Sequence, residues 1–173
     1  MVEEIPYHLI KKIGSIELRR YPNIILAEVN GKDDTAAFNI LYQYISGYNF
    51  AEETIKMTAP VITSKKIEMT RPVISQGSTF AFVLPKQFTK KTAPKPKNQE
   101  ITIKSEPEKT LAIIRFSGRS SSKRVKTFEQ KLFTELEKIN IKKRGKTFLM
   151  RYNSPFTPSF IRRNEIGIEV EYE

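Results

Sequence analysis

The chain has 173 residues, 39% of them hydrophobic, with 11 Phe and 7 Tyr, which suits one well-buried domain and excludes a disordered polymer. Its formal charge of +11 favours anionic partners: nucleic acid, an anionic membrane surface or a carboxylate-bearing small molecule. The absence of cysteine excludes disulfides, thiolate metal sites and cysteine nucleophiles, and no apolar run approaches membrane-spanning length. The acidic start Met1-Val2-Glu3-Glu4, with no apolar stretch behind it, does not read as a secretory leader, so the cytoplasm is the expected compartment.

In chain order, a first strand is predicted over 7–13 and carries His8, the only histidine. Ile16 to Tyr21 alternates like a second strand (15–21), turns at Pro22, and returns as Ile24 to Gly31. Asp33, Asp34 or Thr35 can cap a helix near 34–46 that Gly47 ends. Ala37, Phe38, Leu41, Tyr44 and Ile45 form one stripe of that helix, widened by Ile40 and Tyr42. So broad and uncharged an apolar face predicts burial on two sides or the wall of a groove.

Next comes a phrase that occurs twice, Met57-Thr58-Ala59-Pro60-Val61-Ile62 and Met69-Thr70-Arg71-Pro72-Val73-Ile74. Proline fixes φ and cannot donate to a ladder, so both runs read as extended edge segments of structural purpose. Strands are predicted at 67–74 and 79–84. Lys90 to Asn98 reads as an extended, solvated connector. Strands at 101–106 and 110–117 repeat the earlier order of strand, proline turn (Pro107), strand and glycine (Gly118). A helix near 121–138 follows, with Ser120 to Ser122 as its cap and Val125, Phe128, Leu132, Leu136 and Ile139 as its core face. Strands at 147–152 and 166–172 complete the chain. Neither half of this repeat is expected to close a core alone, so the two sheets should pack together.

Several of these stretches resemble the SOUL/heme-binding protein family: the doubled Met-Thr-x-Pro-Val-Ile phrase, Phe38 to Gly47 as first helix, and Phe82-Val83-Leu84-Pro85. Arg115-Phe116-Ser117-Gly118, Arg151 to Pro158 and Arg162-Arg163-Asn164-Glu165 extend the likeness in family order over nearly the whole chain. The resemblance implies an α+β fold. Its core is a distorted antiparallel β-barrel built from two pseudo-symmetric strand-strand-helix-strand halves with two main helices. It implies a single SOUL-like domain over 1–173, with halves at about 7–85 and 100–172, and reversible binding of heme or another tetrapyrrole as ligand.

A tetrapyrrole is a large apolar disc with carboxylates, so it needs an apolar wall, flat side chains and cations at the rim. The first helix can offer Phe38, Leu41, Tyr42 and Ile45, and the C-terminal segment Tyr152, Phe156 and Phe160, with Arg151, Arg162 or Arg163 as carboxylate partners. In the family the pocket lies between this helix and this loop, so these positions carry over as candidates. The plain alternative is that the aromatics merely close the barrel. His8 reads as a strand or surface histidine, the methionines as packing residues, and no metal of the protein's own is expected. No nucleophile–base pair, Gly-rich phosphate loop or metal-ligand cluster appears, so a binding protein rather than an enzyme is expected. Basic residues are dispersed and no nucleic-acid-binding signature accompanies them, which sets nucleic acid behind a tetrapyrrole or a protein partner. The rival reading is an effector-binding or protein-interaction module of similar duplicated fold. Such a module uses buried carboxylates for cations, where this chain offers arginines.

Overall fold

The computed structural model of the chain describes residues 3–65, 78–154 and 156–172. Among the described residues it is α+β: two helices, one 3₁₀ turn and ten strands, with the long strand pairs antiparallel. The strands are β1 (Glu3–Glu4), β2 (His8–Ile13), β3 (Ile16–Tyr21), β4 (Ile24–Lys32), β5 (Thr58–Lys65) and β6 (Ser78–Val83). β7 (Ile101–Glu106), β8 (Lys109–Ser117), β9 (Lys142–Arg151) and β10 (Arg163–Glu171) follow, with helices α1 (Asp34–Ile45) and α2 (Ser122–Lys138). The second Met-Thr-x-Pro-Val-Ile run and the strand expected at 67–74 lie outside the described residues.

The chain divides into two compact units. The first holds the N-terminal residues through Ile5 and Ile24–Glu106. Its strands run β7-β4-β6-β5-β1, and α1 packs on them. Asp33 caps α1 by accepting the Ala36 N–H at 2.8 Å, as its sequence suggests. Ala37, Leu41, Tyr44 and Ile45 enter a core of Ile25, Ala27, Val29, Phe80, Phe82 and Leu84. The second unit holds Pro6–Asn23 and Pro107–Glu173, with strand order β2-β3-β8-β10-β9. Here Ser121 caps α2, and Leu132 and Leu136 pack on Ile16, Leu18, Ala112, Ile114, Ile166 and Ile168. The two units share one topology: β4-α1-β5-β6 in the order β4-β6-β5 matches β8-α2-β9-β10 in the order β8-β10-β9.

The internal repeat is therefore real, but its prolines do a different job from the one read in the sequence. Neither Pro22 nor Pro107 turns a hairpin. Tyr21 pairs with Lys109 and Ile16 with Ile114, whereas Ile24 pairs with Glu106 and Val29 with Ile101. At both prolines the chain leaves one unit for the other, which suits residues without a ladder N–H. The buried side chains group into two clusters, one that includes residues of α1 and one that includes residues of α2.

Three further expectations are corrected. The first Met-Thr-x-Pro-Val-Ile run is extended but is not at an edge. β5 has β6 on one side and the short parallel β1 on the other, with the Ile5 N–H donating to the Ala59 carbonyl at 3.1 Å. Pro60 is tolerated because the register with β6 slips between Thr58 and Val61. Lys90 to Asn98 is no free connector, since it is pinned within the first unit by Tyr44, Asn49 and Phe50. β9 starts at Lys142, five residues before the expected 147. Its charged first half pairs with Glu169, Val170 and Glu171, and Arg144 meets Glu171 at 3.2 Å, so charge complementarity stands in for apolar alternation.

Candidate functional site

The nine candidate ligand residues fall in both units. On α1, Phe38 and Tyr42 are one turn apart and their rings stack at 5.8 Å with an interplanar angle of 15°. Phe38 also meets Phe82 edge-on at 5.4 Å, so the inner ring is anchored in the core while Tyr42 is 54% exposed. Leu41 and Ile45 are buried in the first unit's core and offer no free wall. On a helix these residues follow the 3.6-residue period inward with Ala37 and Tyr44, which leaves the 38–42 ridge as the outward part of the stripe. The aromatic half of the expected helix wall is thus available, and the aliphatic half is core.

In the second unit, residues 152–163 form a loop closed at its neck. The Tyr152 N–H donates to the Arg163 carbonyl at 3.2 Å, and the Arg163 N–H to Asn153 Oδ1 at 2.6 Å. The Thr157 N–H donates to the Ser154 carbonyl, and a 3₁₀ turn spans Ser159–Ile161. Arg162 is half-buried, with Nε donating to the Thr157 carbonyl at 2.8 Å, so it braces the loop from within. At the tip, Phe156 is 97% exposed and Phe160 77% exposed, with Ile161 beside them also exposed. Arg151, half-buried, leads into the loop, and the Arg163 guanidinium stands 3.9 Å over the half-buried Tyr152 ring.

Beneath this neck lies a polar cluster around Glu165 of β10. Its main member is Arg19, from β3. Arg19 Nη1 and Nη2 donate to Glu165 Oε1 and Oε2 at 2.8 and 2.7 Å, a bidentate pair with both residues buried. Arg19 Nε donates to Glu17 at 2.7 Å and Nη1 to the Tyr21 hydroxyl at 2.8 Å, while Tyr7 lies 4.2 Å under the guanidinium. Arg163 Nη2 reaches Glu165 at 3.3 Å, and Tyr152 hydrogen-bonds Glu165 as well. Burial by itself pushes the Glu165 carboxyl up, but the Arg19 hydrogen bonds and charge outweigh it and hold it below the usual carboxylate range. Burial acts likewise against the Arg19 cation, and its hydrogen bond to Glu165 more than restores it. The Tyr21 and Tyr152 hydroxyls are pushed up, chiefly by burial. Two guanidinium groups face two carboxylates, so the cluster has no surplus negative charge to offer a cation. Nor has Glu165 a free oxygen poised as a base. Alternation in β3 and β10 puts Ile16 and Leu18, and Ile166 and Ile168, on the helix-covered face, so Arg19 and Glu165 fall on the opposite face and read from sequence as solvent-facing charges.

His8 is exposed on β2, where it pairs with Arg20. Met57 is half-buried against the first unit's core, a packing residue as expected. Met150 is buried in β9. Among the described residues no group of three His, Asp or Glu side chains converges in a metal-binding arrangement.

Comparison with known proteins bears on fold and family. The family model described as SOUL heme-binding protein matches residues 2–169. Among solved structures, the EcmrR C-terminal domain is similar with a TM-score of 0.66 at 15% identity, covering 96% of this chain and 99% of that one. A protein described as a hydrolase from Listeria innocua has a TM-score of 0.64 at 12% identity, covering 93% of this chain and 94% of that one. At such identities the likeness concerns the fold alone. No protein of curated function matches significantly in sequence.

Proposed function

The chain belongs to the SOUL heme-binding protein family, and from that premise we propose that it binds heme or another tetrapyrrole reversibly, as a ligand and without strong axial coordination. The observation that carries this reading is the 152–163 loop. Phe156 and Phe160 are almost fully exposed, yet the loop that bears them is hydrogen-bonded at its neck and braced by Arg162. Apolar rings held out in water cost free energy that the fold does not recover, and a planar apolar ligand recovers it. Arg151 and Arg163 adjoin the loop, which suits the carboxylates of such a ring. The stacked Phe38–Tyr42 pair on α1 is a second flat aromatic surface and supports the same ligand chemistry.

Binding rather than catalysis follows from the same reading, because the most buried carboxylate is already committed to Arg19. Among the described residues no helix is long and apolar enough to cross a membrane, and the cytoplasm is the compartment we propose. The rival reading, an effector-binding or protein-interaction module, shares the fold, but a charge-balanced buried cluster does not favour cationic effectors.

Haemin and iron-free protoporphyrin titrations, followed by absorbance and tyrosine fluorescence, test the proposal. Phe156→Ser with Phe160→Ser should weaken both rings together by about tenfold or more, since each buried Phe is worth roughly 1.5–3 kcal/mol. Arg151→Gln should weaken both by less than about fivefold and flatten the salt dependence, as expected for a solvent-accessible ion pair. His8→Ala should leave affinity and Soret position unchanged. Loss of haemin alone on His8→Ala would establish coordination instead, and binding of neither ring at micromolar concentration would hand the fold to the rival reading. Leu41 is no site for such a test, because an aspartate there would sit uncompensated in the core.

A further inference from the structure

Tyr48 and Phe50 are 52% and 64% exposed, in a segment that is otherwise firmly held. Asn49 between them is fully buried, and its amide donates to the Tyr44 and Glu53 carbonyls at 2.9 Å each while its Oδ1 accepts the Glu53 N–H at 3.1 Å. Opposite lies Pro94-Lys95-Pro96-Lys97. Asn49 pairs antiparallel with Pro96, the Phe50 N–H donates to the Lys95 carbonyl at 2.9 Å, and the buried Tyr44 hydroxyl donates to the Pro94 carbonyl at 2.6 Å. The single bridge joins two short segments into a ribbon in which Asn49 and Pro94 are buried. It leaves Tyr48, Phe50, Lys95 and Lys97 together on the outer face. There Lys97 Nζ stands 5.7 Å from the Tyr48 ring centre and Lys95 Nζ 5.8 Å from that of Phe50.

We infer that this ribbon is a binding platform for single-stranded nucleic acid, with bases stacking on Tyr48 and Phe50 and phosphates meeting Lys95 and Lys97. Three features point there. Tyr48 and Phe50 flank the buried Asn49 and each ring has its own lysine, so each can take its own base. The lysines are flexible covers that can swing from ring to phosphate, and Lys86, Lys90 and Lys91 extend the positive charge with no acidic residue between 85 and 99. The buried amide network holds the aromatic positions before any ligand arrives, which lowers the ordering cost of binding. A lipid surface fits less well, since only the two rings, and no large aliphatic side chain, are exposed on residues 46–51. Dispersed charge gives no hint of this platform in the sequence, because its two strips are more than forty residues apart.

The test is fluorescence anisotropy of labelled dT15 and rU15 with the full chain at several salt concentrations. Tyr48→Ser with Phe50→Ser should weaken binding by about tenfold or more and leave the salt slope unchanged. Lys95→Gln with Lys97→Gln should reduce the slope of log K against log salt by about 1.4, two phosphates at roughly 0.7 each. All four side chains are exposed, and circular dichroism checks that the variants fold. Equal oligonucleotide affinity for the aromatic variant would overturn the inference in favour of charge alone. So would uptake on phosphatidylserine vesicles that depends on Tyr48 and Phe50 while no oligonucleotide binds.

Discussion

Arg19 and Glu165 stand 146 residues apart in the chain and meet through two hydrogen bonds in a place water does not reach. A buried ion pair contributes little net stability compared with apolar neighbours of the same shape, but removing one partner leaves the other charged and dry. Arg19→Met alone, or Glu165→Leu alone, should therefore lower unfolding stability by about 3–5 kcal/mol in urea melts, whereas the double substitution should recover most of the loss. Additive losses in the double variant would show that the pair is not coupled. Tyr44 makes a quieter version of the same case. Its hydroxyl satisfies the Pro94 carbonyl, so Tyr44→Phe should cost about 1–3 kcal/mol through the acceptor left without a partner. Because that bond also positions the Lys95–Lys97 strip, this variant links stability to the proposed platform.

At the scale of elements, β10 shows how one residue sets a packing distance. Gly167 pairs with Ile113 on β8 and Phe148 on β9, and a Cβ built there would stand 2.9 Å from the Ile113 Cδ1 and the Phe148 ring. The ladder then slips before Glu169. Gly167→Ala should thus overpack the strand by about 1–3 kcal/mol, and Phe148→Leu in the same chain should relieve part of it. If Gly167→Ala melts like the parent, the close approach carries no weight. The helices behave more simply. α2 meets its sheet through a narrow stripe and α1 through a wide one, and only the wide stripe has aromatic residues left over for the surface.

Across the whole molecule, the titrating groups set a pH window. Glu165 has a folded pKa held below its ordinary 4.5, so its stabilising contribution is complete above that value. It drains away as pH falls below 4.5 through the lower folded value, because the unfolded chain takes up the proton first. The Tyr44 hydroxyl runs the other way. Burial, then the nearby Glu53 charge, pushes it from 10.0 up to about 12, so its contribution is complete below pH 10 and is lost as pH rises toward 12. Stability should be flat through neutral pH and fall on both sides, with Tyr44→Phe removing part of the alkaline limb and Glu165→Leu with Arg19→Met part of the acid limb. Denaturant melts from pH 3 to 11.5 check both signs.

Local chemistry was enough to determine both helices, their aspartate and serine caps, most strand positions, the repeat and the family. Each of these depends on residues near one another in the chain: a 3.6-residue stripe, an alternation, a side-chain oxygen three residues from its N–H. Partner choice does not. That β3 joins β8 and β4 joins β7, rather than each folding back at its proline, was decided by which sheet each strand could complete. The same holds for the candidate sites. Phe38 and Tyr42 could be named from the helix stripe, and Phe156 and Phe160 through the family resemblance, but only the structure shows Leu41 and Ile45 buried in the core and the Arg162 guanidinium reaching Thr157. Arg19 with Glu165, and Tyr48 and Phe50 with Lys95 and Lys97, exist only once distant strands meet. A charge or an aromatic ring acquires its role from what tertiary packing places within a few ångströms of it.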